Sequence, residues 1–341
     1  MFKNLRLISR LLGAVLLGPK IEHLILYPTG RCNLMCQHCF AYEYRESVDL
    51  SFDEIKKIAR VLPNPIWLEI GGGEPFLRKD IVEICGLFNA ERVIIPTNGQ
   101  LTEEIIRATN LFAKQRPGKF TIVISLEGFL KTHDAIRGKG SFEKALKTFS
   151  RIKEIKGIRT GFVTTLSEKN SEEIISFIKE MEKYKPDFHG VILLRGKPHD
   201  KNFSLPSLEK LYQIEKELSE IIIRGEYGGG TRAFLEKKFV LYRRRMAFRT
   251  LKEKKQIIPC LAGQRHLVIF SNGDVSPCEL LPPVGNIKQK SLQEILKGQL
   301  LKQSVEKIRA GSCYCTHECN MLDSILLNPR YYFDIIKKIR W

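Results

Sequence analysis

The amino-acid sequence predicts an α/β fold in which a parallel sheet forms a partial barrel of six β/α units, followed by a small cysteine-rich module. Three observations predict it. Short β-rich segments alternate with helical segments up to about residue 200, these strands end in Gly, Ser, Thr or Asn, and five of the nine cysteines follow residue 259. Strands that alternate with helices form parallel sheets with right-handed crossovers. Ligand loops in such folds follow the strands.

Each predicted strand is bounded by turn residues and separated from the next by a helix. The six strands are expected at residues 22–30, 66–73, 91–99, 119–128, 158–166 and 188–196. The helices are expected at residues 51–62, 79–89, 102–114, 141–156, 171–184 and 207–224. Ser51 followed by Glu54 forms a capping-box pattern, which places the start of the first of these helices.

Length and composition narrow the class of protein. The chain has 341 residues, enough for one large domain and a smaller one, and its net charge of +18 favours anionic partners. Nucleic acid is not expected as a partner, because no binding motif or aromatic-basic ladder is present. Nine cysteines at short spacings do not form the pattern of a secreted disulfide framework, so we expect reduced thiolates that hold metal in the cytoplasm. Cys85 stands alone and is expected to be a buried small hydrophobe.

Three cysteines lie within eight positions of one segment, "GRCNLMCQHCF": Cys32, Cys36 and Cys39. A structural zinc site normally has four protein ligands. A [4Fe–4S] cluster held by three cysteines instead leaves one iron open to a small molecule. Zinc with a remote fourth ligand, for which His38 is available, is the alternative.

Together with the segments that end the later strands, this loop resembles the radical S-adenosylmethionine (SAM) superfamily. The resemblance covers roughly residues 22–200. It implies that the three cysteines hold a [4Fe–4S] cluster whose fourth iron binds the amino and carboxylate groups of SAM. The segment "GGGEP" is similar to the motif that holds the methionine amino group, where Gly72 and Gly73 allow a close backbone approach and Glu74 supplies the acceptor.

The resemblance implies further SAM-binding residues. Phe40 is expected against the adenine, and Ser125 is expected to hydrogen-bond the ribose with help from Glu127, where the family usually has Asp. Thr165 is expected near the ribose or carboxylate, and Leu193 is expected to pack on the adenine. Local capping and ion pairing are expected for three residues of the following segment: His133, Asp134 and Arg137.

The later cysteines resemble the SPASM extension or its shortened twitch form, which binds auxiliary [4Fe–4S] clusters. Five cysteines belong to this group: Cys260, Cys278, Cys313, Cys315 and Cys319. The full extension has seven cysteines and two clusters, so five imply one cluster and one spare thiol. The expected ligands are Cys260, Cys278 and Cys319, with Cys315 ahead of Cys313 as the fourth. A zinc site built from the same residues is the alternative.

The chain is expected to divide into five segments. They are an amphipathic N-terminal helix (1–20), a radical SAM core (21–205), a helical basic linker (206–258), a SPASM-like or twitch-like domain (259–325) and an amphipathic C-terminal tail (326–341). The N-terminal helix either packs on the domain or lies on a membrane surface, because its apolar run is too short to cross a bilayer. The basic linker presents either a solvated helix face or a patch for an anionic substrate or membrane.

These resemblances imply a partial (β/α)6 TIM-like barrel with a small cysteine-rich C-terminal SPASM-like domain. The implied activity is reductive cleavage of SAM to a 5′-deoxyadenosyl radical, which abstracts hydrogen from an unidentified lipid, sugar-linked molecule, other small molecule or peptide. The auxiliary cluster is expected to aid electron transfer or substrate binding. A reductant such as ferredoxin or flavodoxin is the expected partner, and the expected location is the cytoplasm, with peripheral contact at the inner face of the membrane. The alternative is an iron–sulfur electron carrier or a zinc-stabilised binding protein, neither of which needs Glu74 and Ser125.

Overall fold

The structure, a computed structural model, describes residues 5–16, 18, 20–225 and 230–336. The strands are β1 (His23–Leu26), β2 (Trp67–Ile70), β3 (Arg92–Thr97), β4 (Phe120–Ser125), β5 (Arg159–Leu166), β6 (His189–Leu193), β7 (His266–Ile269), β8 (Asp274–Ser276) and β9 (Gly285–Asn286). The helices are α1 (Leu5–Leu16), α2 (Phe52–Val61), α3 (Ile81–Gly86), α4 (Thr102–Gln115), α5 (Leu130–Arg137), α6 (Ser141–Lys153), α7 (Ile174–Met181), α8 (Leu208–Arg224), α9 (Gly230–Glu253), α10 (Leu292–Lys297), α11 (Gln299–Arg309), α12 (Glu318–Leu326) and α13 (Tyr332–Ile336).

One sheet contains all of these strands, in the order β6-β5-β4-β3-β2-β1-β7-β8-β9. The strands from β1 to β6 are parallel, and each pairs with the next one along the chain. Because β6 and β9 lie at opposite ends of this order, the sheet stays open instead of closing into a full barrel. The predicted α/β class with an open, partial barrel of six β/α units is confirmed.

The C-terminal hairpin extends the barrel sheet instead of standing apart from it. Strand β7 pairs in parallel with β1, and His23 lies opposite His266. Strands β8 and β9 then add in antiparallel fashion. All four residues of β1 are buried, so the strand needs a neighbour on both edges for its backbone groups.

Alternate residues of β1 belong to different clusters on the two faces of the sheet. Leu24 and Leu26 pack in the main core cluster that also contains residues of α2, α3 and α4. Ile25 packs on the other face with Val268 and Phe270, beside Cys39. This period of two is the ordinary alternation of a strand. The second face is called the inner face below.

From α2 to α8 the helices follow the predicted pattern with one addition. Ser51 caps α2 through a capping box, in which its hydroxyl accepts from the Glu54 N–H at 3.2 Å and the Glu54 carboxylate accepts from the Ser51 N–H at 2.8 Å. Helix α5 was not expected, because the segment from Leu130 to Arg137 shows no clear apolar period.

The N-terminal helix packs on the domain, as one of the two expected arrangements. Leu7 and Leu11 of α1 contact the cluster formed by Trp67 and Leu327. In the part of the chain that the structure describes, no helix combines the length and apolar character needed to cross a bilayer. The basic residues expected in the C-terminal tail after residue 336 lie outside the described residues.

Helix α9 is more deeply embedded than a solvated linker. Arg244 is only 6% exposed, and its guanidinium donates to both carboxylate oxygens of Glu215 at 2.7 and 2.8 Å. It also donates to the carbonyl oxygen of Val191 at 2.7 Å. The expectation of a solvated basic face is therefore wrong at Arg244, because this guanidinium links α9 to α8 and β6.

We expect Arg244→Met to cost about 3–5 kcal/mol of unfolding free energy, because it leaves the buried Glu215 carboxylate without its cation. Adding Glu215→Leu should recover most of that loss, since no buried charge then remains. Guanidinium-induced unfolding followed by tryptophan fluorescence measures both changes. The exposed Arg249→Met variant is the control and should change stability little. Equal stability of Arg244→Met and wild type would contradict the prediction.

Candidate active site

The cysteine loop between β1 and α2 contains little regular structure, so its backbone groups need other partners. The Asp49 carboxylate accepts a hydrogen bond from the Gly30 N–H at 2.9 Å. The Arg45 guanidinium donates to the carbonyl oxygens of Cys32 and Leu34, each at 2.6 Å. Two charged side chains therefore fix the path of the loop from its start through its first cysteine.

The loop after β2 contains Gly71, Gly72 and Gly73 and is called the glycine loop below. It lies directly against the cysteine loop. The Gly73 N–H donates to the Thr29 carbonyl at 2.9 Å, and the Glu74 N–H donates to the Arg31 carbonyl at 2.8 Å. A Cβ at Gly73 would lie 2.0 Å from the Arg31 carbonyl oxygen. Gly72 has a φ of +95°, a conformation that favours glycine. The glycines are needed here because two backbones touch.

Cys32, Cys36 and Cys39 are brought together in this loop. Burial raises the pKa of each thiol, and each is raised further by a neighbouring thiol of the same three. Their sulfurs do not form one of the groups whose ligand atoms all lie within 4.8 Å of one another among the described residues. Four sulfurs around one zinc ion lie about 3.8 Å apart, given a Zn–S bond of about 2.3 Å. The three sulfurs are therefore not all as close to one another as the ligands of a single zinc ion are.

Two side-chain N–H donors point at these sulfurs. The Asn98 amide nitrogen lies 3.7 Å from the Cys32 sulfur, and a guanidinium nitrogen of Arg137 lies 3.6 Å from the Cys36 sulfur. Hydrogen bonds and positive charge at thiolate sulfurs are features that tune iron–sulfur clusters. The residues present therefore fit a cluster with three cysteine ligands and a protein-supplied shell of donors.

Glu74 is buried and connects the glycine loop to the end of β3. Its carboxylate accepts from the Thr97 hydroxyl at 2.7 Å, the Asn98 N–H at 2.8 Å and the Phe76 N–H at 3.3 Å. Burial raises the pKa of Glu74 to about 7, although these hydrogen bonds act in the opposite direction. The carboxylate holds the shape of the glycine loop, and its contact with the SAM amino group stays a prediction.

Glu127 follows β4 and forms the main ion pair of the site. It accepts from the Arg137 guanidinium at 2.5 and 2.9 Å and from the Thr165 N–H at 2.8 Å. Burial alone would raise the pKa of Glu127, but Arg137 holds it below the ordinary value. His38 lies 3.5 Å from the same carboxylate, and burial lowers the pKa of His38 to about 4. The expected ion pairing of Arg137 is confirmed, and Asp134 caps the next helix by accepting from the Phe142 N–H at 3.0 Å.

Of the remaining residues predicted to bind SAM, not all lie at the site. Ser125 is the last residue of β4, two positions before Glu127. The Phe40 ring lies under the Arg195 guanidinium at 5.2 Å. Leu193 packs in a core cluster with residues of α7 and α8, away from the cysteine loop. The structure therefore brings Ser125 to the sheet edge of the site and does not bring Leu193 there.

Sequence reasoning missed Asn98 and Arg195. Asn98 directly follows β3, and Arg195 lies two positions after the end of β6. Polar residues at the carboxyl ends of parallel strands are the usual source of ligand contacts. Their position at the ends of strands was the available signal.

Four of the five later cysteines form a second group: Cys260, Cys278, Cys313 and Cys315. Burial raises the pKa of every one of these thiols, and the Cys315 thiol raises that of the other three further. The Ala262 N–H donates to the Cys260 sulfur at 3.5 Å. The arrangement supplies four thiols at one place, with a backbone donor already directed at one of them.

Cys319 lies apart from that group. Its thiol donates to a carboxylate oxygen of Glu69 at 2.9 Å, and the charged groups that act on it are Glu69, Arg195 and Glu279. It packs on the inner face against the cluster that contains Ile25 and Phe270. The structure does not bring Cys319 to the other later cysteines, so its expected role as a cluster ligand stays a prediction. Cys85 is fully buried in the main core, as expected.

Comparison with known families identifies both cysteine groups. A model of the radical SAM superfamily matches residues 26–181, and the SPASM model, an iron–sulfur cluster-binding domain, matches residues 260–320. The chain carries a radical SAM domain. It also carries a SPASM domain. The predicted cofactors, a SAM-binding [4Fe–4S] cluster with SAM and an auxiliary cluster, are those of these two domains. Members of the superfamily are enzymes, so the prediction of an enzyme is confirmed.

Similar proteins include biosynthetic enzymes of several kinds. The chain is 28% identical over 303 residues to the antilisterial bacteriocin subtilosin biosynthesis protein AlbA of Bacillus subtilis. This alignment covers 83% of the chain and 61% of AlbA. It is 33% identical over 165 residues to the Fe-coproporphyrin III synthase of Methanosarcina barkeri, covering 46% of this chain and 40% of that protein. The structure of Streptococcus suis SuiB bound to precursor peptide SuiA matches with a TM-score of 0.64 at 19% identity, over 88% of this chain and 70% of SuiB.

The chain therefore spans 40% and 61% of the lengths of these two curated relatives. The likeness to SuiB concerns the fold. The radical SAM and SPASM domains are shared features, whereas the reaction and substrate of this chain are proposals.

We expect Gly30→Ala to remove the first cluster, lowering iron by about four atoms per chain, because the new Cβ would lie 1.8 Å from the Tyr44 carbonyl oxygen. The matched control is Gly86→Ala in α3, where a Cβ meets nothing within 4 Å. Iron and visible absorbance per chain, measured after anaerobic reconstitution, test both variants. A Gly30→Ala protein with wild-type iron would show that the loop tolerates a side chain there.

Proposed function

We propose that this chain is a radical SAM enzyme that removes a hydrogen atom from a peptide substrate. One observation carries the proposal: three thiols meet beside a glycine loop, and two N–H donors, from Asn98 and Arg137, point at their sulfurs. An electron carrier needs the thiols but has no use for the adjoining glycine loop and the polar residues that end β4 and β5.

In this proposal Cys32, Cys36 and Cys39 would hold the first cluster and leave one iron free for SAM. When bound, the cluster and SAM supply reductive cleavage of SAM and abstraction of hydrogen from the substrate. The chain's own residues bind and orient SAM and the substrate. Asn98 and Arg137 donate toward the sulfurs, and burial of the loop keeps water from the reacting groups.

The SAM contacts proposed for the chain come from the carboxyl-terminal parts of four strands, β1, β2, β4 and β5, and the loops that follow them. They are the residues Phe40, Gly72, Gly73, Glu74, Ser125, Glu127 and Thr165. Glu127 contributes by fixing its neighbours, since its oxygens already accept from Arg137 and Thr165. Leu193 is left out of this set, because it packs beneath helices on the other side of its strand.

The auxiliary cluster is proposed to be held by Cys260, Cys278, Cys313 and Cys315. Their mutual effect on pKa and the N–H donor at the Cys260 sulfur support this set. It differs from the set expected from the sequence, in which Cys319 was a ligand. A cluster held by these cysteines would supply an electron acceptor or an anchor for the substrate.

A peptide is the proposed substrate class for two reasons. AlbA, which aligns with most of this chain, takes part in the biosynthesis of a bacteriocin, and SuiB, which shares the fold, was crystallised with a precursor peptide. The net charge of +18 favours an acidic peptide. Ferredoxin or flavodoxin is the proposed reductant, and the reduced thiols favour the cytoplasm as the location.

The test of the reaction is formation of 5′-deoxyadenosine from SAM and dithionite by anaerobically reconstituted protein. Wild type should form it, and the Cys32→Ala/Cys36→Ala/Cys39→Ala variant should not, a loss of at least about 10²-fold. The matched control is Cys85→Ala, which alters a buried thiol remote from both cysteine groups. Faster formation with acidic peptides than with coproporphyrin would support the substrate class. A fully iron-loaded wild type that never cleaves SAM would contradict the enzyme proposal.

The ligands of the auxiliary cluster are tested separately by iron content. Cys313→Ala/Cys315→Ala should lose about four iron atoms per chain and keep the first cluster, since two of four ligands are removed. Cys319→Ala should keep all iron. Electron paramagnetic resonance of the reduced proteins distinguishes which cluster signal is lost. Loss of the auxiliary signal in Cys319→Ala alone would restore the ligand set expected from the sequence.

A further inference from the structure

A buried asparagine of α12 lines the cavity beside the second group of cysteines. Asn320 lies in the first turn of this helix, and its side chain lines a cavity that Cys260, Cys313 and Cys315 also line. Asn320 is only 3% exposed. Neither its amide nitrogen nor its amide oxygen has a hydrogen-bond partner among the residues that the structure describes. Burying an amide without partners is costly, so we expect a group that fills the cavity to supply one.

Three other polar side chains of this cavity have partners within the chain. The Gln256 amide accepts from the Cys260 N–H at 3.0 Å and donates to the Cys313 carbonyl oxygen at 3.3 Å. The hydroxyls of Thr250 and Ser324 are each hydrogen-bonded to backbone groups. Gln256 therefore fixes the backbones of two cysteines, whereas the second amide of the cavity, that of Asn320, makes no such contact.

His317 is a second side chain with an unpaired polar atom in this cavity. It is fully buried and lines the same space. Its Nε2 atom lies 2.5 Å from the Glu279 carboxylate, whereas Nδ1 has no partner among the described residues. Two side chains therefore leave polar atoms unpaired beside the same thiols. An iron–sulfur cluster held by these thiols would offer both of them sulfur atoms as hydrogen-bond acceptors.

We propose that the Asn320 amide donates a hydrogen bond to a sulfur atom of the auxiliary cluster and thereby raises the reduction potential of that cluster. Reduction adds one electron and makes the sulfur atoms more negative, so an N–H donor stabilises the reduced form more than the oxidised form. The inference rests on the auxiliary cluster of the proposed function, and it does not depend on whether Cys319 is one of the ligands.

The experiment measures the midpoint potential of each cluster in the full chain after anaerobic reconstitution. A dithionite titration with redox mediators is followed by electron paramagnetic resonance, and iron is counted per chain. In Asn320→Leu we expect the ratio of reduced to oxidised auxiliary cluster at a fixed potential to fall about tenfold, which corresponds to a midpoint about 59 mV lower for one electron. The first cluster should keep its midpoint, and iron should stay at about eight atoms per chain.

Pulsed electron–nuclear double resonance in water and in heavy water supplies a second readout. The reduced auxiliary cluster of Asn320→Leu should lack one exchangeable proton coupling that the wild type shows. Asn320→Ala removes the same donor with a smaller side chain, so it decides the outcome if leucine prevents folding. The matched control is Asn110→Leu on α4, which changes an exposed helical asparagine and should alter neither potential.

A lowered auxiliary potential with full iron supports the inference. Two results would overturn it: an unchanged auxiliary potential in both Asn320 variants with full iron, or loss of about four iron atoms in both, which would make the role of Asn320 structural. A wild-type protein that holds only about four iron atoms would instead contradict the auxiliary cluster itself, and with it that part of the proposed function.

Discussion

The close approach of two backbones, the cysteine loop and the glycine loop, is the contact on which the site depends. The two loops contain little regular structure, so backbone groups of one pair with those of the other, through the hydrogen bonds from Gly73 to Thr29 and from Glu74 to Arg31. An atom added at Gly73 would meet the opposite chain at 2.0 Å. The positions of three cysteines therefore follow from residues some forty positions later, which themselves carry no metal ligand.

Burial of charge sets the rest of the geometry. A buried carboxylate is costly unless donors surround it, so each one fixes the groups around it. Glu74 draws Thr97 and Asn98 toward the glycine loop, and that places the Asn98 amide beside the Cys32 sulfur. Glu127 in the same way holds Arg137 where its guanidinium also reaches Cys36. The two donors at the sulfurs are thus consequences of two carboxylates farther from them.

The fold and the first cysteine site could be predicted because their signals are local. Strand periodicity, the Ser51 cap and the cysteine spacing each depend on residues that are neighbours in sequence. What could not be predicted depends on distant partners. Arg244 belongs to a basic run that suits solvent, and only Glu215 on another helix makes it a buried residue. Cys319 stands four positions from Cys315, yet the start of α12 between them turns its thiol toward Glu69.

The C-terminal module contacts residues inside the barrel through Glu279. Glu279 follows Cys278 directly, and its carboxylate accepts from the Tyr27 hydroxyl at 2.5 Å and from the Arg195 guanidinium at 2.9 Å. His317 of the same module lies 2.5 Å from that carboxylate. These are buried, charge-assisted contacts, which are the stronger kind of hydrogen bond. Because Tyr27 follows β1 and Arg195 follows β6, one carboxylate joins both ends of the six-stranded barrel to the residue next to a cysteine of the second group. The second cysteine group is therefore tied, through the residue that follows Cys278, to the strands at both ends of the six-stranded parallel sheet.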